Sequence, residues 1–121
     1  MDRTPTTRQQ LGDWFMRQTP TSGVRRVTSL GAAIGSDRGL IREENQDRVA
    51  VARGRDKAGR NFAIAAVADG IGGMSAGGAC ASDALAALFA TTFWNAQQSE
   101  NPEIWLQAAF VEANQFVHAK H

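Results

Sequence analysis

The alternation of apolar and polar residues predicts about three antiparallel β-strands in the first part of the chain. The first is a strand candidate at about residues 26–33, with Val27 and Leu30 as core residues. Residues 35–39 contain two glycines, a serine and an aspartate, all frequent turn residues. We therefore expect this strand to end in a turn.

The next two strands are predicted to form a hairpin. Val49 and Val51 fall on one face of a strand at residues 48–52, and a return strand at 61–68 follows a polar loop at 53–60. The return strand is almost entirely apolar. Such a run is typical of a strand that is buried on both faces.

Two helices are predicted in the remainder of the chain. The first runs from about residue 76 to 93, and the second runs to about residue 119. Asn101 is predicted to cap the second helix, with Pro102 as its first residue and Glu103 in its first turn. The predicted apolar faces are Ala81, Leu85, Leu88, Phe89 and Thr92 in the first helix, and Leu106, Ala109, Phe110, Ala113, Phe116 and Val117 in the second. Because the connector is short, the helices should pack antiparallel.

Together these elements predict an α+β fold, in which an antiparallel sheet carries a packed helical hairpin on one face. Residues 1–24 are interpreted as a polar N-terminal arm, and residues 25–121 as the folded domain. No predicted element covers the other face of the sheet. Because the return strand is apolar, we expect another segment or a partner to cover that face.

Composition limits the functional classes. The chain has 121 residues and a formal net charge of +1, so we expect no nucleic-acid partner. The single cysteine, Cys80, excludes an internal disulfide and favours a reducing cytoplasm, and we interpret it as a small buried helix residue. The sequence shows neither the apolar core of a signal peptide nor an apolar run long enough for a membrane span.

Asp69 is the main candidate for chemistry, because it ends the apolar return strand and precedes Gly70, Gly72 and Gly73. A carboxylate at the end of a buried strand is costly unless it is compensated, and a bound cation would compensate it. Two other interpretations remain open. An Asp-Gly pair is typical of a strand-ending turn, and a glycine-rich loop can hold a phosphate at a helix N-terminus. The glycine spacing nevertheless fits neither of the common nucleotide-binding motifs.

Two segments flank the predicted hairpin, SDRGLIREENQD at residues 36–47 and ADGIGGM at residues 68–74. Together they resemble the metal-dependent protein serine/threonine phosphatases, the PPM or type 2C family, in their bacterial form. The similarity spans about residues 26–119. The resemblance implies the N-terminal half of a catalytic domain whose complete fold is an α-β-β-α sandwich.

The resemblance also implies a role for four residues. Asp69 would bridge two divalent cations, Mn²⁺ or Mg²⁺, and the main-chain carbonyl of Gly70 would bind one of them. Asp47 would act near the cations through water or as hydrogen-bonding support, and Arg42 would hold the substrate phosphate. Oxygen ligands suit these cations, and a guanidinium suits a phosphate. The implied reaction is attack of metal-bound hydroxide on a phosphoserine or phosphothreonine of a protein substrate.

Several features depart from the family pattern. Gln46 stands where many relatives carry glutamate, and Ile71 stands where some carry histidine. His118 and His121 are interpreted as surface residues of a frayed helix end. The sequence contains no Gly-Asp-Ser or Ser-Asp-Gly motif, which in the family carry the remaining metal-binding aspartates.

These departures leave two hypotheses for the function. The chain is either the N-terminal part of a phosphatase catalytic domain, with a C-terminal half or a partner chain covering the sheet, or a non-catalytic, truncated phosphatase-like binding or regulatory module. Whether the chain is itself an enzyme stays open.

Overall fold

The computed structural model describes residues 22–27, 32–37, 47–70 and 77–121, the first two ranges for their main chain alone. Its elements are β1 (Ser22–Val27), β2 (Ala32–Asp37), β3 (Arg48–Arg55), β4 (Asn61–Ala68), α1 (Gly77–Ala96) and α2 (Pro102–Lys120). The fold is α+β, as predicted, with antiparallel strands beside two packed helices. Strand β1 begins within the arm predicted at residues 1–24.

Strands β1 and β2 form an antiparallel hairpin, in which Val27 pairs with Ala32. The prediction of one strand at residues 26–33 is therefore wrong, because the two ends of that range belong to different strands. Leu30 lies outside the described residues. The described part of the chain thus contains four strands in two separate two-stranded sheets, where three strands were predicted.

The prediction of a turn at residues 35–39 is wrong for residues 35–37, because β2 extends through Asp37. Residues 38 and 39 lie outside the described residues. Gly35 pairs with Val24 and Ser36 pairs with Gly23 across the hairpin. Glycine and serine favour turns when they are considered alone, but a partner strand can satisfy their main-chain groups in an extended conformation. Strand pairing has overridden the local preference at these positions.

Strands β3 and β4 form the predicted hairpin, with Arg55 opposite Asn61 at its closed end. The loop between them is residues 56–60, which is shorter than the predicted loop at 53–60, because β3 continues through residues 53–55. The main-chain N–H of Lys57 donates to the carbonyl of Ala96 at 2.9 Å. The hairpin loop is thereby attached to the end of α1.

Only one face of the β3–β4 hairpin is buried. Ala50 and Ile64 belong to the core beneath the helices, whereas Val67 on the opposite face is 74% exposed, and Ala63 and Ala65 are exposed beside it. The prediction that both faces of β4 are buried is therefore wrong. An unbroken apolar run does not reveal which face is buried, because no polar residue marks the solvent side. Among the described residues, this opposite face is exposed along β4 and half-buried along β3, at Val49 and Val51.

Helix α1 supplies most of the core. Its predicted apolar face is entirely buried, and Phe89 is only 1% exposed. The amide of Asn95 donates to the carbonyl of Trp105 near the connector, and Lys120 reaches Asp83 at the other end, so the helices run antiparallel as predicted. Neither described helix combines the length and the apolar character that a membrane span needs.

Helix α2 begins as predicted, and its buried face includes Ala109 and Ala113 of the predicted face but also Trp105 in place of Leu106 and Phe110. Asn101 Oδ1 accepts a hydrogen bond from the N–H of Glu103 at 3.0 Å, which is the expected cap. Trp105 is only 3% exposed, whereas Leu106 and Phe110 of the predicted apolar face are 39% and 62% exposed. The prediction of that face is therefore wrong for Leu106 and Phe110, although it is right for the buried alanines of the helix.

Trp105 explains the orientation of α2. Its ring centroid lies 5.2 Å from that of Phe62, and its Nε1–H donates to the carbonyl of Ser99 at 2.7 Å. A buried tryptophan needs both apolar contacts and a partner for its N–H, and this position provides both. The helix is therefore oriented by its largest side chain.

Gly54 approaches the aromatic cluster so closely that a methyl group would not fit. A Cβ at this position would lie 2.6 Å from Cζ of Phe62, whose ring is held between Phe93 and Trp105. We expect Gly54→Ala to lower the free energy of unfolding by about 1–3 kcal/mol, since the rings have to shift. Urea denaturation of the parent and the variant measures this change.

Gly59→Ala is the comparison variant, because its cost has a different cause. The φ of +81° at Gly59 strains any other residue, whereas nothing lies within 4 Å of a Cβ there. Shortening the ring in Phe62→Leu should therefore reduce the cost of Gly54→Ala and leave the cost of Gly59→Ala unchanged. Equal costs of Gly54→Ala in both backgrounds would show that contact with Phe62 is not the cause.

Candidate functional site

The open end of the β3–β4 hairpin brings the two sequence motifs together. Arg48 pairs with Ala68, so Asp47 and Asp69 occupy neighbouring positions where β3 begins and β4 ends. The N–H of Gly70 donates to Oδ1 of Asp47 at 3.1 Å, across 23 positions of sequence. We call Asp47, Asp69 and Gly70 the carboxylate edge.

The residues of the carboxylate edge differ in their exposure to solvent. Asp47 and Asp69 are exposed, whereas Gly70 is buried. The expectation that Asp69 is a costly buried charge is therefore wrong, because the chain reaches solvent as soon as β4 ends. A cation is therefore not required here to offset desolvation.

The hydrogen bond from Gly70 fixes part of this geometry. A main-chain N–H that donates to a carboxylate forms a charge-assisted bond, which is stronger than a neutral one. The bond orients the carboxylate of Asp47 toward the end of β4, where Asp69 lies. Two carboxylates and a main-chain carbonyl are oxygen donors of the kind that Mg²⁺ and Mn²⁺ prefer.

The described residues do not form a metal site by themselves. In residues 47–70 and 77–121, no group of three or more histidine, cysteine, aspartate or glutamate side chains is placed to hold one ion. Arg42, Gln46 and Ile71 lie outside the described residues, so the role of Arg42 stays a prediction. The structure thus brings together three of the four predicted site residues.

Comparisons of this chain with protein-family models, with curated proteins and with solved structures found no match. The features of the chain that bear on its function are therefore the two sequence motifs and the geometry of the carboxylate edge.

The closed end of the same hairpin also carries a carboxylate, but its bonds explain it without a ligand. Asp56 Oδ1 accepts hydrogen bonds from the N–H groups of Ala58 and Arg60 at 2.9 and 2.8 Å, and Oδ2 pairs with Arg60 Nε at 2.9 Å. Burial by itself raises the pKa of Asp56. The hydrogen bonds from Arg60 and Ala58 and the guanidinium charge outweigh burial and lower the pKa below its ordinary value.

This lowered pKa predicts a pH dependence of stability. A carboxyl group whose pKa is lower in the folded state stabilises the fold above its unfolded pKa of about 3.9, and this contribution is lost as pH falls through the folded value. We expect Asp56→Asn to lower Tm at pH 6, and the difference from the parent to shrink as pH falls through the lowered pKa of Asp56. Thermal unfolding between pH 2 and 7 tests this, with Glu100→Gln, a change at an exposed acid, as the control. A constant Tm difference across the range would contradict the assigned role.

A third carboxylate, Asp83, connects the two helices. Its Oδ2 lies 2.7 Å from Nε2 of His121 and 3.2 Å from Nζ of Lys120. The interpretation of His121 as part of a frayed end is therefore wrong, whereas His118 is exposed as predicted. Cys80 is half-buried, less than predicted. The sequence contained a signal for the contact of Asp83 with α2, because a lone charged residue in an otherwise uncharged helix needs a partner.

Sequence reasoning did not single out Arg48, which adjoins the carboxylate edge. It is only 7% exposed, and its Nη1 donates to the main-chain carbonyl of Asp47 at 2.9 Å. No sequence signal marks it, because the alternation of β3 does not show which face is buried; in the structure Arg48 falls on the same face as the buried Ala50.

Proposed function

We propose that the chain is the N-terminal part of a metal-dependent protein serine/threonine phosphatase domain. The observation that supports this most is the Gly70–Asp47 hydrogen bond, because it joins the two motif segments that carry the resemblance. In that family the position of Gly70 binds a divalent cation, and the position of Asp47 acts near the cations through water or as hydrogen-bonding support. The proposed substrate is a phosphorylated serine or threonine of a protein, and the proposed location is the cytoplasm.

Mn²⁺ or Mg²⁺ is the proposed cofactor, and the donors of the carboxylate edge fit either ion in kind. Asp69 would supply carboxylate oxygens and Gly70 a carbonyl oxygen, and Asp47 would bind through water or as hydrogen-bonding support. When bound, a pair of such ions activates water and neutralises phosphate charge. The described donors are too few for two ions, so the proposal requires further oxygen ligands from elsewhere in the complete domain.

The chain's own residues would divide the remaining work between binding and orientation. Gly70 holds the carboxylate of Asp47 in place before any ligand arrives, which reduces the ordering that ligand binding requires. Arg42 would grip the substrate phosphate, since a guanidinium fork matches phosphate geometry. Both tasks are positioning tasks, which is what phosphoryl transfer mainly requires of a protein.

A second candidate function is a non-catalytic binding module, and the uncovered sheet face favours it. Ala63, Ala65 and Val67 form an exposed apolar row on β4. Exposed apolar faces mark interaction sites or aggregation hazards. In the phosphatase proposal the C-terminal half of the domain covers this row. In the alternative, a separate partner chain covers it and no substrate is turned over.

The decisive experiment compares residues 1–121 alone with the same chain fused to the C-terminal half of a type 2C phosphatase. We expect the chain alone to be a poor catalyst, because its described donors do not complete a two-ion site. The fused protein should release phosphate from a phosphothreonine peptide in Mn²⁺. A fused protein that folds and binds Mn²⁺ but leaves the peptide intact would favour the binding module.

Arg42→Ala in the fused protein tests the predicted phosphate contact. The variant should raise KM for the phosphopeptide by about tenfold or more while Mn²⁺ affinity changes little, because the contact is to substrate rather than to metal. Arg53→Ala is the matched control, since Arg53 is an exposed arginine of β3. Loss of Mn²⁺ affinity with an unchanged KM would show that Arg42 does not hold the phosphate.

A further inference from the structure

Arg48 is a buried cation beside the carboxylate edge, and neither the core nor the proposed reaction requires a charge at its position. It lies at the first position of β3, on the face of the sheet that packs against the helices. Apolar residues such as Ala50 occupy this face further along the strand. Burying a guanidinium is costly unless its hydrogen bonds are made. One of these bonds, from Nη1 to the carbonyl of Asp47 at 2.9 Å, leads directly to a site residue.

This contact restrains the main chain of Asp47. The orientation of a residue's carbonyl sets its ψ angle, and ψ together with φ fixes the direction of the next peptide relative to the Cα–Cβ bond. Asp47 is thus held at two points, its carbonyl by Arg48 and its carboxylate by the N–H of Gly70. One anchor lies on each side of the residue's rotatable bonds.

We infer that Arg48 is a positioning residue, which holds Asp47 in the orientation that binds the divalent cation. The part of this inference that concerns the cation rests on the proposed function. The part that concerns Asp47 and its hydrogen bond from Gly70 does not. Partners that orient a metal ligand typically change metal affinity by about 10–100-fold when they are removed.

Electrostatic repulsion predicts the opposite change in Mn²⁺ affinity when Arg48 is replaced. The direction of that change therefore tests the inference. A guanidinium is a permanent cation, so close to the edge it repels a divalent ion. If repulsion were its main effect, removing the charge would tighten Mn²⁺ binding, and lysine would behave like arginine. If positioning is its main effect, both Arg48→Met and Arg48→Lys should weaken binding, because neither keeps the planar donor.

The experiment measures Mn²⁺ affinity of residues 1–121 from the electron paramagnetic resonance signal of the free ion. We expect Arg48→Met to bind about tenfold more weakly than the parent, and Arg48→Lys to bind more weakly than the parent as well. Arg53→Met makes the same chemical change at an exposed residue of the same strand and should change affinity by less than about twofold. Arg48→Lys keeps a cation at the site, so it decides the question if Arg48→Met does not fold. Parent-like or tighter binding by Arg48→Lys would overturn the inference.

A second readout needs no metal. With Asp47 released, the amide of Gly70 loses its partner, so its hydrogen exchange should become about tenfold faster in Arg48→Lys and remain unchanged in Arg53→Met. An unchanged hydrogen-exchange rate of the Gly70 amide in Arg48→Lys would overturn the inference, whether or not the parent binds Mn²⁺. If residues 1–121 bind no Mn²⁺ but exchange responds as expected, the carboxylate edge does not hold the ion without further ligands, and the positioning of Asp47 stands.

Discussion

Phe89→Ala is expected to lower the free energy of unfolding by about 3–5 kcal/mol. Phe89 is only 1% exposed and belongs to the core cluster formed by α1, α2 and the helix-facing side of the β3–β4 hairpin. Its ring packs edge-on against Phe93, with 6.0 Å between the ring centroids. Truncation removes these contacts and leaves a cavity that the surrounding helices cannot close, because each is fixed by its other contacts.

Phe110→Ala is the matched control, since it makes the same change at a residue that is 62% exposed. We expect its effect to stay within about 0.5 kcal/mol. Urea denaturation followed by circular dichroism measures both variants. Domains of this size have a total stability of about 5–15 kcal/mol, so Phe89→Ala should leave a marginal fold. An effect of Phe110→Ala as large as that expected for Phe89→Ala would show that α2 buries Phe110, as the sequence predicted.

The second large effect is expected from Asp69→Asn, measured as phosphatase activity of the chain fused to a type 2C C-terminal half. An amide keeps the shape of the side chain but carries no charge and only one oxygen acceptor. Removing a partner that merely orients a metal ligand costs about 10–100-fold, so replacing the ligand itself should cost more than about 100-fold. Activity should fall for every phosphopeptide, and excess Mn²⁺ should restore little of it.

Glu100→Gln is the control for lost charge, because Glu100 is exposed and lies near the closed end of the hairpin. The eight residues of β3 span about 25 Å, which separates this position from the carboxylate edge by more than two Debye lengths. Activity of Glu100→Gln should match the parent. An Asp69→Asn variant with parent-like activity and Mn²⁺ dependence would exclude Asp69 as a ligand.

The sequence predicts the helices of this fold well because their signals are local. Asn101, Pro102 and Glu103 define the start of α2, and the buried face of α1 follows from the spacing of its leucines and Phe89. The rotation of α2 was not predictable in the same way. Leu106 and Phe110 fit helical spacing as well as Trp105 does, and only the contact of Trp105 with Phe62 on β4 decides between them.

The strands are less predictable because pairing depends on distant residues. Nothing local to Gly35 indicates that Val24 will be its partner. The apolar run of β4 likewise shows a strand without showing that Val67 points to solvent. The residues at and beside the carboxylate edge differ in the same way in how far the sequence reveals them. Asp69 was found from its position after an apolar run, whereas Arg48 became visible only when the burial of β3 was known.

We propose that the carboxylate edge binds a divalent cation, and paramagnetic line broadening would detect such binding at individual residues. Substoichiometric Mn²⁺ is added to isotope-labelled residues 1–121, and the loss of amide signals is mapped by nuclear magnetic resonance. We expect the signals of Asp47, Asp69 and Gly70 to disappear first, and Asp69→Asn to abolish this pattern. Broadening centred on Asp56 or Asp83, or a pattern that Asp69→Asn leaves unchanged, would contradict the claim.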